Sequence, residues 1–274
     1  MRPWVAVALD HDHFAQHGYA RLGCALDPDL VKDWARRALV RLREHPEELK
    51  DSVPPTDPAD FSQLDPEDPA TWRWRRATLT GARRARLSQV APAVAAAAQS
   101  LLAPHRLATE QLSDYLIITF PARGLRRVPS PSPGRHTGRW HLDDPGTSMS
   151  LAGWHNALLL FVLYSDIAPG GGGPFVACDS PMRIARLLRD QPGVDLTDAA
   201  VVRRVVRSCA TFREITGRAG DVFVAHPFLL HSPSTNRGAT PRLLANPMLR
   251  TVAPLDFDTG TSALETITRG WIGR

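Results

Sequence analysis

Hydrophobic positions in this chain follow two different periods. In the first part, Val31, Trp34, Ala35, Ala38 and Leu42 recur at steps of three and four. That spacing predicts a helix over residues 30–44, with Asp27 or Asp29 as its cap. Residues 51–69 are dense in Pro and Asp, which predicts a loop or lid rather than an element interior. Helical spacing returns over 83–102, where Ala95, Ala96, Ala97 and Ala98 run together. The first hundred residues therefore read as helical.

From about Tyr115 the texture changes to short apolar runs. Residues 115–120 and 174–177 read as strands, and 155–164 as a buried strand. Gly170, Gly171, Gly172 and Gly173 form a turn signal. Residues 182–189 and 199–208 read as helices, and strands at 212–215, 221–226 and 242–250 close the chain. The pattern predicts a single domain. It has a mainly helical region over 1–110 carrying the 51–69 loop, and a β core over 111–252 with a helical insertion at about 181–208. The fold class is mainly β with a helical flank, either a sandwich or a jelly roll. Periodicity does not choose between those topologies.

Composition narrows the picture only slightly. A chain of 274 residues buries a sizeable core, and its 43% hydrophobic content is ordinary for a globular protein. No apolar run approaches the ~18 residues of a membrane span. The run over 4–9 is too short for a signal-peptide core, so a cytoplasmic location and no membrane partner are expected. Cys24, Cys178 and Cys209 are scattered without a CxxC spacing, which predicts thiols rather than a disulfide framework or a zinc ribbon.

The net charge is +5, but Lys32 and Lys50 are the only lysines among 33 basic residues. That skew points to GC-rich coding and discounts part of the charge. The densest basic cluster is Arg73, Arg75, Arg76, Arg83, Arg84 and Arg86, interleaved with Trp72 and Trp74. It reads chiefly as a solvated face, with an entrance for an anionic substrate as the alternative. No nucleic-acid module accompanies it, so no nucleic-acid partner is expected.

Candidate chemistry centres on Trp140-His141-Leu142-Asp143-Asp144. On a strand, His141 and Asp143 point to the same face. A third nitrogen from a distant strand would complete a two-histidine, one-carboxylate set. Such a set leaves coordination positions open and suits non-haem Fe(II). Two downstream histidines each have an arginine eleven residues later: His226 with Arg237, and His231 with Arg242. Their odd separation would face the two histidines oppositely on a regular strand, although Pro227 interrupts it. Arg237 lies in a turn signature, whereas Arg242 opens a strand that could aim a guanidinium inward. These points favour His231 with Arg242. His136 and His155 flank the motif and are candidates for substrate or supporting contacts. His11, His13, His17, His45 and His105 have no partner at ligand spacing.

Three segments together resemble the phytanoyl-CoA dioxygenase family of Fe(II)- and 2-oxoglutarate-dependent oxygenases: 140–144, 158–180 and 220–242. The resemblance spans about residues 7–249. It implies a double-stranded β-helix core, a jelly-roll or cupin-like variant. It implies His141, Asp143 and His231 as metal ligands and Arg242 as the clamp on 2-oxoglutarate. Thr119 is a further candidate contact to the co-substrate, with an ordinary strand threonine as the alternative. The implied cofactors are Fe(II), 2-oxoglutarate and O2. The implied reaction is oxidation of an aliphatic carbon, chiefly hydroxylation, in a small molecule that includes anionic or thioester-linked options.

A tailoring enzyme of specialised metabolism fits the GC-rich coding. Desaturation, epimerisation, cyclisation and acyl-CoA hydroxylation are alternatives, and a non-catalytic jelly-roll binding protein is a further one. One departure concerns the substrate side: Ala177-Cys178-Asp179-Ser180 stands where members commonly carry Pro-Gly-Ser-His. Related halogenases replace the carboxylate ligand with a small residue, so the presence of Asp143 argues against halogenation.

Overall fold

The computed structural model describes residues 8–44, 49–50, 65, 68–71, 76–122, 138–144 and 150–273. The elements in chain order are α1 (His11–His17), β1 (Tyr19–Leu22), α2 (Pro28–Glu44), β2 (Leu49–Lys50), β3 (Ala77–Leu79), β4 (Arg84–Arg86), α3 (Leu87–Val90), α4 (Pro92–Leu102), β5 (Gln111–Ser113) and β6 (Leu116–Thr119). There follow β7 (Ala152–Leu163), β8 (Phe175–Ala177), α5 (Ser180–Asp190), α6 (Ala199–Ser208), β9 (Phe212–Glu214), β10 (Val222–Ala225), β11 (His231–Ser232), β12 (Arg242–Ala245), β13 (Met248–Asp256) and α7 (Ala263–Ile272).

The larger sheet has the order β1-β10-β7-β12-β6-β3-β2, with β13 also paired to β7. The smaller sheet is β11-β8-β9, and β4 pairs with β5 apart from both. All these pairs are antiparallel.

Strand β7 organises the molecule. Leu159, Phe161 and Leu163 join Val176, Ile215, Phe223 and Leu244 in a cluster between the two sheets. The intervening Leu158, Leu160 and Val162 join Trp34, Leu42 and Leu101 from α2 and α4 in the other cluster. Both faces of β7 are thus covered. A strand covered on both sides reads as a continuous apolar run rather than an alternating one. Helix α2 begins where the Asp27 carboxylate accepts from the Asp29 and Leu30 amides at 2.8 and 3.2 Å. Asp27 rather than Asp29 is therefore its cap.

Four expectations are corrected. The first hundred residues are not only helical, because β1 and β3 pair into the larger sheet. The expected helix over 83–102 is a strand and two helices, broken at Ala91, whose φ of -149 is extended and which precedes Pro92. The closing strand over 242–250 divides into β12 and β13 around Asn246 and Pro247. The chain then closes on helix α7 rather than a strand. Its start carries a reciprocal capping pair: Ser262 accepts from the Glu265 amide, and the Glu265 carboxylate accepts from the Ser262 amide.

The expected lid over 51–69 lies outside the described residues except at 65 and 68–69, as do His45, His136, Arg73 and Arg75. Among the described residues, no helix is long and apolar enough to cross a membrane.

Candidate active site

The site forms where the two sheets face each other. Residue 141 adds an edge to the smaller sheet. The His141 amide donates to the His231 carbonyl at 3.0 Å and the His231 amide to the His141 carbonyl at 3.1 Å. Along 140–143, Trp140 and Leu142 are buried while His141 and Asp143 turn the other way, the alternation expected of an extended segment. The backbone bridge sets the His141 and His231 rings 4.3 Å apart, and Phe161 from β7 presses edge-on against His231 at 5.3 Å.

Both imidazoles are oriented by the backbone. His141 Nδ1 lies 2.9 Å from the Arg139 carbonyl, and His231 Nδ1 lies 3.2 Å from the Leu229 carbonyl. A carbonyl accepts only, so each neutral ring carries its proton on Nδ1 and presents a lone pair on Nε2. The two Nε2 atoms lie 3.4 Å from the two oxygens of Asp143, one each. His231 Nε2 is buried and makes no hydrogen bond. One ligand atom from each of the three residues falls within 4.8 Å of the others.

Burial would raise the Asp143 pKa. When protonated, the adjacent His231 and His141 rings outweigh it and hold the carboxyl well below the usual carboxylate range. Asn246, in the break between β12 and β13, donates to Asp143 Oδ2 at 2.5 Å and accepts from the Tyr115 hydroxyl at 3.4 Å.

Arg242 projects from β12 into the same cavity, whose lining includes Arg76, His141, Phe161, His231 and Asn246. It is 4% exposed, and its cross-strand partner is Thr119. The guanidinium donates to Thr119 Oγ1 at 2.6 Å, the Gly172 carbonyl at 3.0 Å and the Ile117 carbonyl at 3.3 Å. Among the described residues, no carboxylate pairs with it. Burial, and then the neighbouring Arg76 charge, pull its pKa down to about 9. Arg242 is therefore a buried cation held by neutral acceptors, an arrangement that favours an added anion.

The glycine turn serves this arginine. Gly172 has φ +86, and a Cβ there would meet the Asn236 Cβ at 2.8 Å, so the backbone approaches as closely as glycine permits. The Glu214 carboxylate accepts from the Gly170 and Gly173 amides, and Asn236 donates to the Thr119 and Thr240 carbonyls.

The competing pair lies elsewhere. His226 is fully buried, packed against Phe228, Phe257 and Trp271. Its Nδ1 accepts from the Phe228 amide at 3.0 Å, and its Nε2 meets the Thr268 hydroxyl at 2.9 Å. That hydroxyl donates to the Leu264 carbonyl, so Nε2 is the donor and the ring is neutral. Burial lowers its pKa to about 3. Arg237 is exposed on the turn. His155 is exposed, with Nδ1 3.1 Å from the Thr251 carbonyl. All three cysteines are free thiols.

Sequence reasoning missed Asn246, Tyr115 and Phe161. The available signal for Asn246 was an amide beside a proline inside an otherwise apolar strand run.

No family profile and no curated protein matches the chain. Solved structures do. The chain is similar to the non-heme alpha ketoglutarate dependent carbocyclase SnoK from nogalamycin biosynthesis, at 16% identity over 88% of this chain and 82% of that one, with a TM-score of 0.52. It is similar to the epimerase SnoN in complex with Fe3+, alpha ketoglutarate and nogalamycin RO, at 18% identity over 88% and 81% of the two chains, with a TM-score of 0.51. It is also similar to EctD from S. alaskensis with bound Fe, at 18% identity over 92% and 79%, with a TM-score of 0.51. At these identities the likeness is one of fold: the chain has the double-stranded β-helix architecture of these proteins.

Proposed function

We propose that this protein is an Fe(II)- and 2-oxoglutarate-dependent oxygenase that oxidises an aliphatic carbon of a small molecule. In this reading His141, Asp143 and His231 hold the metal, and Arg242 with Thr119 holds the far carboxylate of 2-oxoglutarate. The observation that carries the reading is His231 Nε2, a buried lone pair without a hydrogen bond, aimed at the Asp143 carboxylate. Nitrogen and carboxylate ligands bind such an ion at about 2.0–2.2 Å, so two atoms sharing it lie no more than about 4.4 Å apart. The 3.4 Å spacings therefore suit one ion between these residues.

Bound iron, with 2-oxoglutarate and dioxygen, supplies the oxidising power, and the co-substrate leaves as succinate and carbon dioxide. The chain's own residues do the positioning. The Arg139 and Leu229 carbonyls fix the imidazole tautomers. Asn246 orients Asp143 and keeps it ionised. Phe161 and Leu244 keep water from the inner wall of the cavity. Asp143 fills the position that a halide would need, so halogenation is disfavoured.

SnoK comes from nogalamycin biosynthesis, and the SnoN structure holds nogalamycin RO. We carry over a specialised metabolite as the substrate class and the cytoplasm as the place of action. Hydroxylation is the default outcome. The carbocyclase and epimerase among the similar folds keep cyclisation and epimerisation as the second reading.

The test is succinate release from 2-oxoglutarate by the purified protein with Fe(II) and air, screened against a panel of small molecules. At least one should stimulate release in wild type and none in His231→Ala. Product mass then separates hydroxylation, which adds one oxygen, from isomerisation or ring closure. Equal release from both proteins would overturn the proposal.

A further inference from the structure

We propose that Asn156 and Arg250 are positioning residues of the metal site, which fix the direction of the Asp143 carboxylate by holding Asp144 in a left-handed turn. The inference rests on the function proposed above and adds two residues to it. It starts from the backbone. The alternation of burial over 140–143 ends at Asp144, whose φ is +41. Among the described residues, Cys24 is the other non-glycine residue with a positive φ. Such a backbone is unfavourable for an L-residue, although aspartate tolerates it better than most. It persists where neighbours hold it, and positions of this kind gather at functional sites. Packing is not what holds Asp144, because its side chain is exposed.

Hydrogen bonds hold it instead. Asn156 Nδ2 donates to the Asp144 carbonyl, and the Arg250 guanidinium donates to the Asp144 carboxylate. The two donors arrive from neighbouring strands. Leu249 pairs with Leu158 and Arg250 with Asn156, so Ala157 is the extra residue of a bulge in β7. A bulge re-aims the side chains beside it, and this one brings Asn156 and Arg250 together at residue 144. Asn156 is buried, which fixes its amide in place. Arg250 is tied from its other side: its carbonyl accepts from the Ala108 amide, and the Val252 amide donates to the Arg106 carbonyl. Rotation about φ of Asp144 turns the peptide that joins it to Asp143. Held left-handed, that peptide leaves the Asp143 oxygens 3.4 Å from His141 Nε2 and His231 Nε2. Released, Asp144 relaxes toward a negative φ, and Asp143 swings with the peptide. Asn246 steadies the carboxylate itself, and the clamp steadies the backbone beneath it. An ion pair as exposed as Arg250 with Asp144 adds little stability, so its effect falls on geometry.

The test is anaerobic Fe(II) titration of the full chain by calorimetry. The ligand-field spectrum of Co(II) bound in place of iron and the metal-free thermal midpoint are measured beside it. Asn156→Leu, which removes the donor, should weaken Fe(II) binding by about tenfold or more and change the Co(II) spectrum. Arg250→Gln should do the same to a smaller extent without lowering the midpoint. Arg250→Lys, which keeps the cation, should bind as wild type does. Glycine takes a positive φ freely, so Arg250→Gln should add no further loss in the Asp144→Gly background. Wild-type affinity and spectrum in both Asn156→Leu and Arg250→Gln would overturn the proposal, whether or not the midpoint falls. An equal loss from Arg250→Gln in both backgrounds would place Arg250 outside the clamp and overturn it too. Should Asn156→Leu fail to fold, Arg250→Gln and Arg250→Lys decide alone. A wild-type protein that binds no Fe(II) would instead overturn the functional reading beneath it.

Discussion

At the scale of single residues, the structure separates two histidines that the sequence presents almost identically. His231 turns an unpartnered nitrogen toward Asp143, while His226 satisfies both nitrogens inside an aromatic cluster. The pairing of His141 with Asp143 was legible because it needs only a two-residue alternation. The parity argument between His226 and His231 was not a sound guide, because a turn separates β10 from β11 and no common strand carries both. Nor was Asn246 legible, since its partner Asp143 is a hundred residues away.

Two predictions belong at this scale. Arg242→Ala should raise the 2-oxoglutarate requirement by roughly 30-fold or more, because truncating a buried charged partner typically costs ~2–5 kcal/mol. Arg237→Ala should change it little, and the reverse ranking in saturation curves would overturn the pairing. His226 is lowered from 6.5 to about 3, so the unfolded chain binds its proton first. Its contribution to stability is full above about pH 6.5 and is lost as pH falls toward 3, by up to about 1.4 kcal/mol per pH unit. His226→Gln should therefore show a flatter decline in denaturation midpoint over that window than wild type. Parallel curves would contradict the burial of a neutral ring.

At the scale of elements, the apolar runs were legible where a strand's burial is uniform, as in β7 and β10. Breaks within runs were not: Asn246 and Pro247 divide one apolar stretch into β12 and β13, and Ala91 divides α3 from α4. Helix α7 was missed even though Ser262 and Glu265 form a capping signature, since its apolar face is covered by α4 and α5, distant in sequence. The glycine turn was legible as a turn but not as a support for Arg242. Gly172→Ala tests that support. A non-glycine residue at φ +86 costs ~1–3 kcal/mol. The Cβ would also press on Asn236 and displace the carbonyl that accepts from Arg242. Gly193 has φ +87 with nothing within 4 Å of a Cβ, so Gly193→Ala carries the backbone cost alone. Both variants should lose stability on chemical denaturation, but only Gly172→Ala should also bind 2-oxoglutarate more weakly. Equal 2-oxoglutarate affinity in the two would remove the turn from the site.

At the scale of the molecule, the two sheets bring together residues from opposite ends of the core. The smaller sheet contributes His231 and, through its edge, His141, while the larger contributes Arg242 and Thr119. The side chains of β7 join two apolar clusters in turn, which gives the layers but not the strand order. That order depends on pairings between distant segments, such as β1 with β10, which local pattern does not encode. The central claim is that this meeting of sheets creates one iron site. Anaerobic Fe(II) titration followed by calorimetry tests it most directly, with wild type beside Asp143→Ala, His231→Ala and His226→Gln. Wild type and His226→Gln should each bind one ion per chain, and the other two should lose that binding while keeping a cooperative thermal transition. Undiminished stoichiometric binding in Asp143→Ala and His231→Ala would contradict the account.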